Sequence, residues 1–368
     1  MKQGFVKVAA VTPKIVVADT KENTALICAE IKKAEQEGAK IIVLPELCIT
    51  GYTCSDLFLQ EKMLREARQS LLEIAAFTFA LDCIVFVGLP LEYNGKLYNV
   101  AAAVSNGKVL GFVPKTYLPN YNEFYEARHF TRGMEETVQV SLGEEVVPMG
   151  KKLLFTCQTM PELKIGVELC EGSLDTGTAE YPSCVKRCEM SLSICQHRMR
   201  RPEKTFTAKE LVWRTVCKAS WRHIYASAGD GESTQDVVYS AHNIIAENGR
   251  ILKKAKRFAN ETVYSEIDVL RLNAERRRMT TFETRMDGYT EIPFALKIEE
   301  TELTRYIDPM PFVPGSKTDR ERRCDEILSI QAMGLKKTSG AHTLQICRDR
   351  YLRWIGFYTG IACDGACI

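Results

Sequence analysis

Residues 83 to 115 read CIVFVGLPLEYNGKLYNVAAAVSNGKVLGFVPK, and this stretch decides the fold. Two Asn-Gly pairs, Asn94-Gly95 and Asn106-Gly107, separate apolar runs. Asn and Gly accept the positive φ of a two-residue turn, so the spacing predicts hairpins between strands. Upstream, "VKVAAVTP" (6–13) and "IIVLPE" (41–46) read as further strands, the second buried because its apolar run is continuous. Residues 20 to 37 place Ala25, Ile27, Ala29, Ile31 and Ala34 at helical spacing. Thr20 serves as N-cap and Gly38 as the stop. A second helix is expected over roughly 60 to 80. Strands interleaved with helices predict an α/β protein with a mixed sheet covered by helices.

Farther on, "KIGVELCEG" (164–172) is a short apolar strand that delivers Cys170 between two glutamates. Negative neighbours oppose a thiolate, so this cysteine is either a small buried hydrophobe or a nucleophile served by groups brought from elsewhere. Asn248-Gly249 signals one more hairpin. "SEIDVLRLNAERRRMTTF" (265–282) reads as a strand and then a basic helix. Residues 290 to 320 are richer in proline and polar residues, with "YIDPMPFVPGS" (306–316) as a linker. "KTDRERRCDEILSIQAMGLKK" (317–337) is a charged amphipathic helix that opens a second domain.

The chain has 368 residues, 45% hydrophobic and 26% charged, enough for a sizeable core. A net charge of +2 gives no reason to expect nucleic acid or an acidic membrane surface as a partner. No apolar run is long enough for a bilayer, and the N-terminal residues enter a strand without a signal-peptide layout. A cytoplasmic enzyme with reduced thiols is therefore expected, despite fourteen cysteines. Cys184, Cys188, Cys195 and His197 fit no common zinc spacing, so no metal site is expected.

Three strand ends carry the chemistry: Glu46, Lys115 and Cys170. Such ends are rigid platforms from which side chains converge. A thiol needs a base, which Glu46 can be, and a tetrahedral intermediate needs a cation at its oxyanion, which Lys115 can be. A nearby ammonium also offsets the carboxylates beside the thiol.

The wording around these residues resembles the nitrilase superfamily, and within it the glutamine-dependent NAD synthetases. The stretches that carry the resemblance are "LPELCITGYTCSDLF" (44–58), "PKTYLPNYNEFYEARHF" (114–130), "GVELCE" (166–171), "YASAGDGESTQDVVYSAHNIIAENG" (225–249) and "LRLNAERRRMTTF" (270–282). The resemblance implies a nitrilase-type four-layer α-β-β-α sandwich over residues 1–285. Residues 286–342 would then be the linker and first helix of an ATP-pyrophosphatase-type synthetase domain. It implies Glu46 as base, Lys115 as oxyanion partner, Cys170 as nucleophile, Glu123 as an accessory glutamate and Tyr121 as a contact for glutamine. Ammonia from glutamine would amidate nicotinic acid adenine dinucleotide at a site that uses ATP and Mg. A homo-oligomer is expected, with no nucleic acid or membrane as partner. The alternatives are a stand-alone amidase and a catalytically dead remnant.

Residues 172–207, 213–222 and 343–368 depart from family text, and hold all of Trp213, Trp221 and Trp354. Read one base later, the codons allowed for "GSLDTGTAEYPSC" (172–184) permit D-L-W-T-P-E-P-P-S-I-R-H-A. In the other shifted frame, the residues from Glu189 permit D-V-I-V-N-L-S-A-S. The tail "QICRDRYLRWIGFYTGIACDG" (345–365) permits a string containing S-G-G-L-D-S, an ATP-pyrophosphatase loop. The three segments are therefore expected to be out-of-frame translations. Their residues, Arg200 and Arg201 among them, are expected to lack strand periodicity and to leave the polypeptide poorly folded.

Overall fold

The computed structural model describes residues 1–121, 123–169, 190–195, 198–199, 222–248, 250–278, 288–310, 313 and 315–342. The elements of its first unit, Met1–Arg305, run in the order β1 (Phe5–Ala10), α1 (Thr20–Gln36), β2 (Ile41–Val43), α2 (Glu61–Phe77), β3 (Ile84–Tyr93), β4 (Lys96–Ser105), β5 (Lys108–Pro114) and α3 (Glu126–His129). Then come β6 (Val138–Leu142), β7 (Glu145–Met149), β8 (Leu153–Cys157), β9 (Lys164–Leu169), β10 (Met190–Cys195), β11 (Arg198–Met199) and β12 (Arg222–Ser227). The unit closes with β13 (Val238–Tyr239), β14 (Ile244–Glu247), β15 (Arg250–Lys254), β16 (Val263–Asp268), α4 (Val269–Arg278) and β17 (Thr290–Phe294). The second unit, from Tyr306 onward, contributes the helix α5 (Lys317–His342).

Two large sheets result among the described residues. One has the order β16-β1-β2-β3-β4-β5-β7-β6, the other β15-β14-β12-β10-β9-β8-β17. Successive strand residues point to opposite faces, and both faces of the first sheet are used. On one face Val8, Val43, Phe86 and Ala103 meet Phe155, Ile165, Val167, Ile224 and Ile245 of the second sheet. The Phe86 and Phe155 rings meet edge to face at 5.5 Å. On the other face Ala9, Ile42, Val85 and Val87 are covered by Ile27 and Ile31 of α1 and by Ala67, Leu71 and Ile74 of α2. The described residues supply α, β and β layers of the expected α-β-β-α sandwich.

The hairpins form as the turn chemistry requires, with Asn94 and Gly95 at φ 49° and 68°, and Asn106 and Gly107 at φ 48° and 81°. The cap of helix α1 lies one residue before the expected one: the Asp19 carboxylate, not the Thr20 hydroxyl, accepts the Glu22 amide at 3.0 Å. Two expectations need larger correction. Residues 290–294, read as linker, form β17, so the first unit ends at Arg305 rather than at 285. Pro293 is tolerated because β17 is an edge strand, where a missing N–H costs no ladder bond. Residues 190–195, expected to lack strand periodicity, form β10, parallel to both β9 and β12 at the centre of the second sheet. Their sequence, Met-Ser-Leu-Ser-Ile-Cys, alternates apolar and polar as a strand does.

Candidate active site

Three described residues, two of them just beyond strand ends and one at the start of a helix, meet inside the first unit. Glu46 follows β2, Lys115 directly follows β5, and Glu126 opens α3; all three are buried, at 0%, 1% and 4% exposure. The Lys115 ammonium donates to Glu46 Oε1 at 2.8 Å and to Glu126 Oε1 at 2.7 Å. Asn99, on β4, donates through Nδ2 to Glu46 Oε1 at 2.5 Å, and the Tyr52 hydroxyl donates to Glu126 Oε1 at 2.7 Å.

The backbone holds these groups in place. The Lys115 amide donates to the Asn99 carbonyl at 2.8 Å, and the Lys115 carbonyl accepts from the Gly133 amide at 2.8 Å. The turn carrying Glu46 lies directly on β3, where a Cβ at Gly88 would sit 2.3 Å from the Leu47 nitrogen. Only glycine allows that approach.

Two carboxylates and one ammonium share this buried space, so the charges do not balance if all are ionised. Burial pushes the Glu126 carboxyl up to about 7. The Lys115 ammonium pulls it down, the Glu46 charge adds to the rise, and the Tyr52 hydroxyl pulls it down again. A carboxyl that exchanges its proton near neutrality suits proton transfer to and from a substrate.

Glu126 and Tyr52 also line a cavity of about 400 Å³, together with Phe58, Glu123, His129 and Tyr239. At its rim Asp56 accepts two bonds from Arg128, at 2.9 and 2.8 Å, and faces the His129 ring at 2.9 Å. His129 and Arg128 hold the Asp56 carboxyl below the usual carboxylate range. The volume is of the size that takes a small polar metabolite.

Of the expected residues, Glu46 and Lys115 are brought together. Glu123 lines the cavity, but the carboxylate set against Lys115 beside Glu46 is that of Glu126, three residues farther on. Tyr121 is half exposed, its ring edge-on to Phe124 at 5.5 Å. Cys170 lies outside the described residues. The strand leading to it, β9, ends at Leu169 and packs across from β4 and β5, which carry Asn99 and lead to Lys115. The side chains of Cys184, Cys188, Cys195 and His197 also lie outside the described residues.

Glu126, Asn99 and Tyr52 are not among the residues expected from the sequence. Glu126 stood in the same "NEFYE" string as Glu123, and only the path of the 121–126 turn separates them. Asn99, a polar residue within the apolar run "LYNVAAAV", was a readable signal.

Residues 7–277 match the carbon-nitrogen hydrolase family. A glutamine-dependent NAD(+) synthetase of Mycobacterium bovis is 31% identical over 352 residues, covering 91% of this chain and 51% of that protein. One from Aquifex aeolicus is 27% identical over 74% of this chain and 44% of its own length. The chain spans about half the length of the curated relatives it matches most fully. Among solved structures, a glutamine-dependent NAD(+) synthetase from Cytophaga hutchinsonii superposes with a TM-score of 0.63 at 27% identity, over 72% of this chain and 43% of that one. An amidase of the nitrilase superfamily from Nesterenkonia shares the fold, with a TM-score of 0.56 at 17% identity over 76% of this chain and 97% of its own. Among the described residues, no helix is long and apolar enough to cross a membrane.

Proposed function

The chain belongs to the carbon-nitrogen hydrolase family, and from that premise we propose that it carries the glutamine-hydrolysing half of a glutamine-dependent NAD synthetase. The observation that carries the reading is the buried Lys115 ammonium bonded to Glu46 and Glu126 opposite the strand that leads to Cys170. The Cys170 thiol gives its proton to Glu46, and the thiolate attacks the side-chain carbonyl of glutamine. Lys115 compensates the developing oxyanion. Glu46 returns the proton to the leaving amine, and ammonia departs from a thioester. Water, deprotonated by Glu46, then releases glutamate and restores the thiol. Glu126 holds Lys115 from the other side, and Glu123 and Tyr121 are the remaining candidates for contact with glutamine.

The ammonia would amidate nicotinic acid adenine dinucleotide with ATP and Mg in a synthetase domain, and the enzyme would be a homo-oligomer in the cytoplasm. The described residues do not fit ATP. Their Gly-Asp-Gly loop, 229–231, lines a cavity of about 310 Å³ but sets the carboxylates of Asp230 and Glu232 there, which oppose a polyphosphate. The shifted-frame readings of 172–207, 213–222 and 343–368 support a gene that descends from, or misreports, a complete synthetase. Resequencing the coding DNA tests that part, and an unbroken frame giving the same residues would refute it.

The test of the hydrolase reading is ammonia release from glutamine, asparagine and simple aliphatic amides. Release from glutamine alone, lost in Cys170→Ala, is expected. Turnover of aliphatic amides without glutamine would favour the stand-alone amidase. No release from any amide by folded protein would favour the dead remnant.

A further inference from the structure

Two stretches far apart in the chain, GYTCSDLF (51–58) and YASAGDGEST (225–234), close on each other. Glu232, 7% exposed, accepts the Tyr52 amide on Oε1 at 2.8 Å. Its Oε2 accepts the Thr53 amide at 3.0 Å and the Thr53 hydroxyl at 2.6 Å. The Thr53 hydroxyl accepts the Ser233 amide in return, at 2.9 Å. Bonds from amides to a buried carboxylate are charge-assisted and geometrically strict. Both approaches depend on glycine: Gly51 has φ +85° and Gly231 φ +103°, and a Cβ on Gly51 would come within 3.5 Å of Glu232 Oε2.

What this grip holds is Tyr52. Its ring stands edge-on to Tyr239 at 6.2 Å, and its hydroxyl reaches Glu126 Oε1 at 2.7 Å. Glu126 is faced by Lys115 from the end of β5, by Glu46 from the turn after β2, and by Tyr52 from this clasped turn. The carboxylate–lysine centre is built of Glu46, Lys115 and Glu126; the hydrogen bonds of Glu232 described here go to the 51–53 turn, and it meets the centre through the charge of Glu46.

We propose that Glu232 is a positioning residue: by clasping the 51–53 turn it keeps the Tyr52 hydroxyl donating to Glu126. A donor to a carboxylate favours the ionised form, so releasing the turn should make Glu126 a weaker acid. The functional meaning of this rests on the hydrolase reading, but the effect on Glu126 does not require turnover.

The experiment follows the carboxyl carbon of Glu126 through pH in full-length protein with ¹³C-labelled glutamate. The resonance is assigned by its loss in Glu126→Gln. Tyr52→Phe should lower the acid dissociation constant of Glu126 about threefold or more. Glu232→Gln should lower it comparably, and the double variant no further, because both changes remove the same bond. Thr53→Val keeps both amides and removes one bond to Glu232, so it should shift Glu126 less and in the same direction. It decides the matter if Glu232→Gln does not fold. An unchanged constant in Glu232→Gln, or in Thr53→Val where that substitutes for it, overturns the proposal. So does a fall in the double variant equal to the sum of the two singles, or an ordinary glutamate titration at Glu126 in the parent. Ammonia release from glutamine is measured alongside. A parent that titrates as expected but releases none refutes the glutaminase reading and leaves the role of Glu232 standing.

Discussion

The two sheets are assembled in different ways. In the first, β3, β4 and β5 follow one another along the chain and pair through two-residue turns. In the second, the central strands β9, β10 and β12 run parallel, and each must find a partner across a long stretch of chain. The charged half of the candidate site rests on the first arrangement: Asn99 and Lys115 are placed by the β4–β5 hairpin, and Glu46 by the turn pressed onto β3. The strand leading to Cys170 belongs to the second. Hairpin pairing thus places Asn99 and Lys115, while Glu46 arrives just beyond β2, paired parallel to β3, and the strand leading to Cys170 is paired to its neighbour β10 across a long stretch of chain.

That contrast can be broken where it is weakest. Leu192→Pro removes one backbone donor from a strand flanked on both sides, which only an edge strand tolerates. It should abolish cooperative thermal melting followed by circular dichroism. A variant that melts like the parent would mean that β10 does not hold the second sheet together.

Within the first sheet, Lys115→Met leaves two buried carboxyls facing each other without their cation. The loss should be about 3–5 kcal/mol, read as a fall in the urea midpoint. A change under 1 kcal/mol would mean that the ion pairs are solvated.

A smaller effect sharpens the same point through pH. The Glu126 carboxyl is raised from 4.5 to about 7 in the folded protein. Folding therefore favours its protonated form, and this stabilisation is complete below 4.5 and lost as pH rises through 7. Urea midpoints should show parent stability falling between pH 5 and pH 7.5 by up to about 3 kcal/mol more than that of Glu126→Gln. Buried Glu232 and Glu168 are raised as well and contribute to both proteins, so the difference reports Glu126 together with its interaction with Glu46. Equal slopes would contradict the shared burial of Glu46, Lys115 and Glu126.

The smallest effect lies outside both sheets. Asp19→Ala removes the cap of α1 and should cost about 1 kcal/mol, read from the same midpoints.

The same division explains what could be read from the residues alone. The Asn-Gly turns, the period of α1 and the apolar run before Glu46 are local signals, and the structure forms each element they announce. The hairpins placed Lys115 correctly at a strand end. Glu126 was passed over because "NEFYE" offers two acids, and which one reaches Lys115 is decided by a turn whose path no periodicity encodes. β17 was hidden by Pro293, acceptable only at the sheet edge, which is a tertiary fact. β10 was readable, since Met-Ser-Leu-Ser-Ile-Cys alternates, but the unfamiliar text on either side masked it. Tyr52 gave no warning, because its partner Glu126 and the clasp by Glu232 both come from distant parts of the chain.

The claim on which the account turns is that the Glu46–Lys115–Glu126 centre serves a nucleophile at Cys170. It is tested most directly by incubating the protein with a glutamine-like diazoketone and mapping the adduct by peptide mass spectrometry. The account predicts one adduct, on the peptide containing Cys170, competed by glutamine and absent from folded Glu46→Gln. An adduct on any other of the fourteen cysteines, or labelling of Cys170 that Glu46→Gln leaves unchanged, would contradict it.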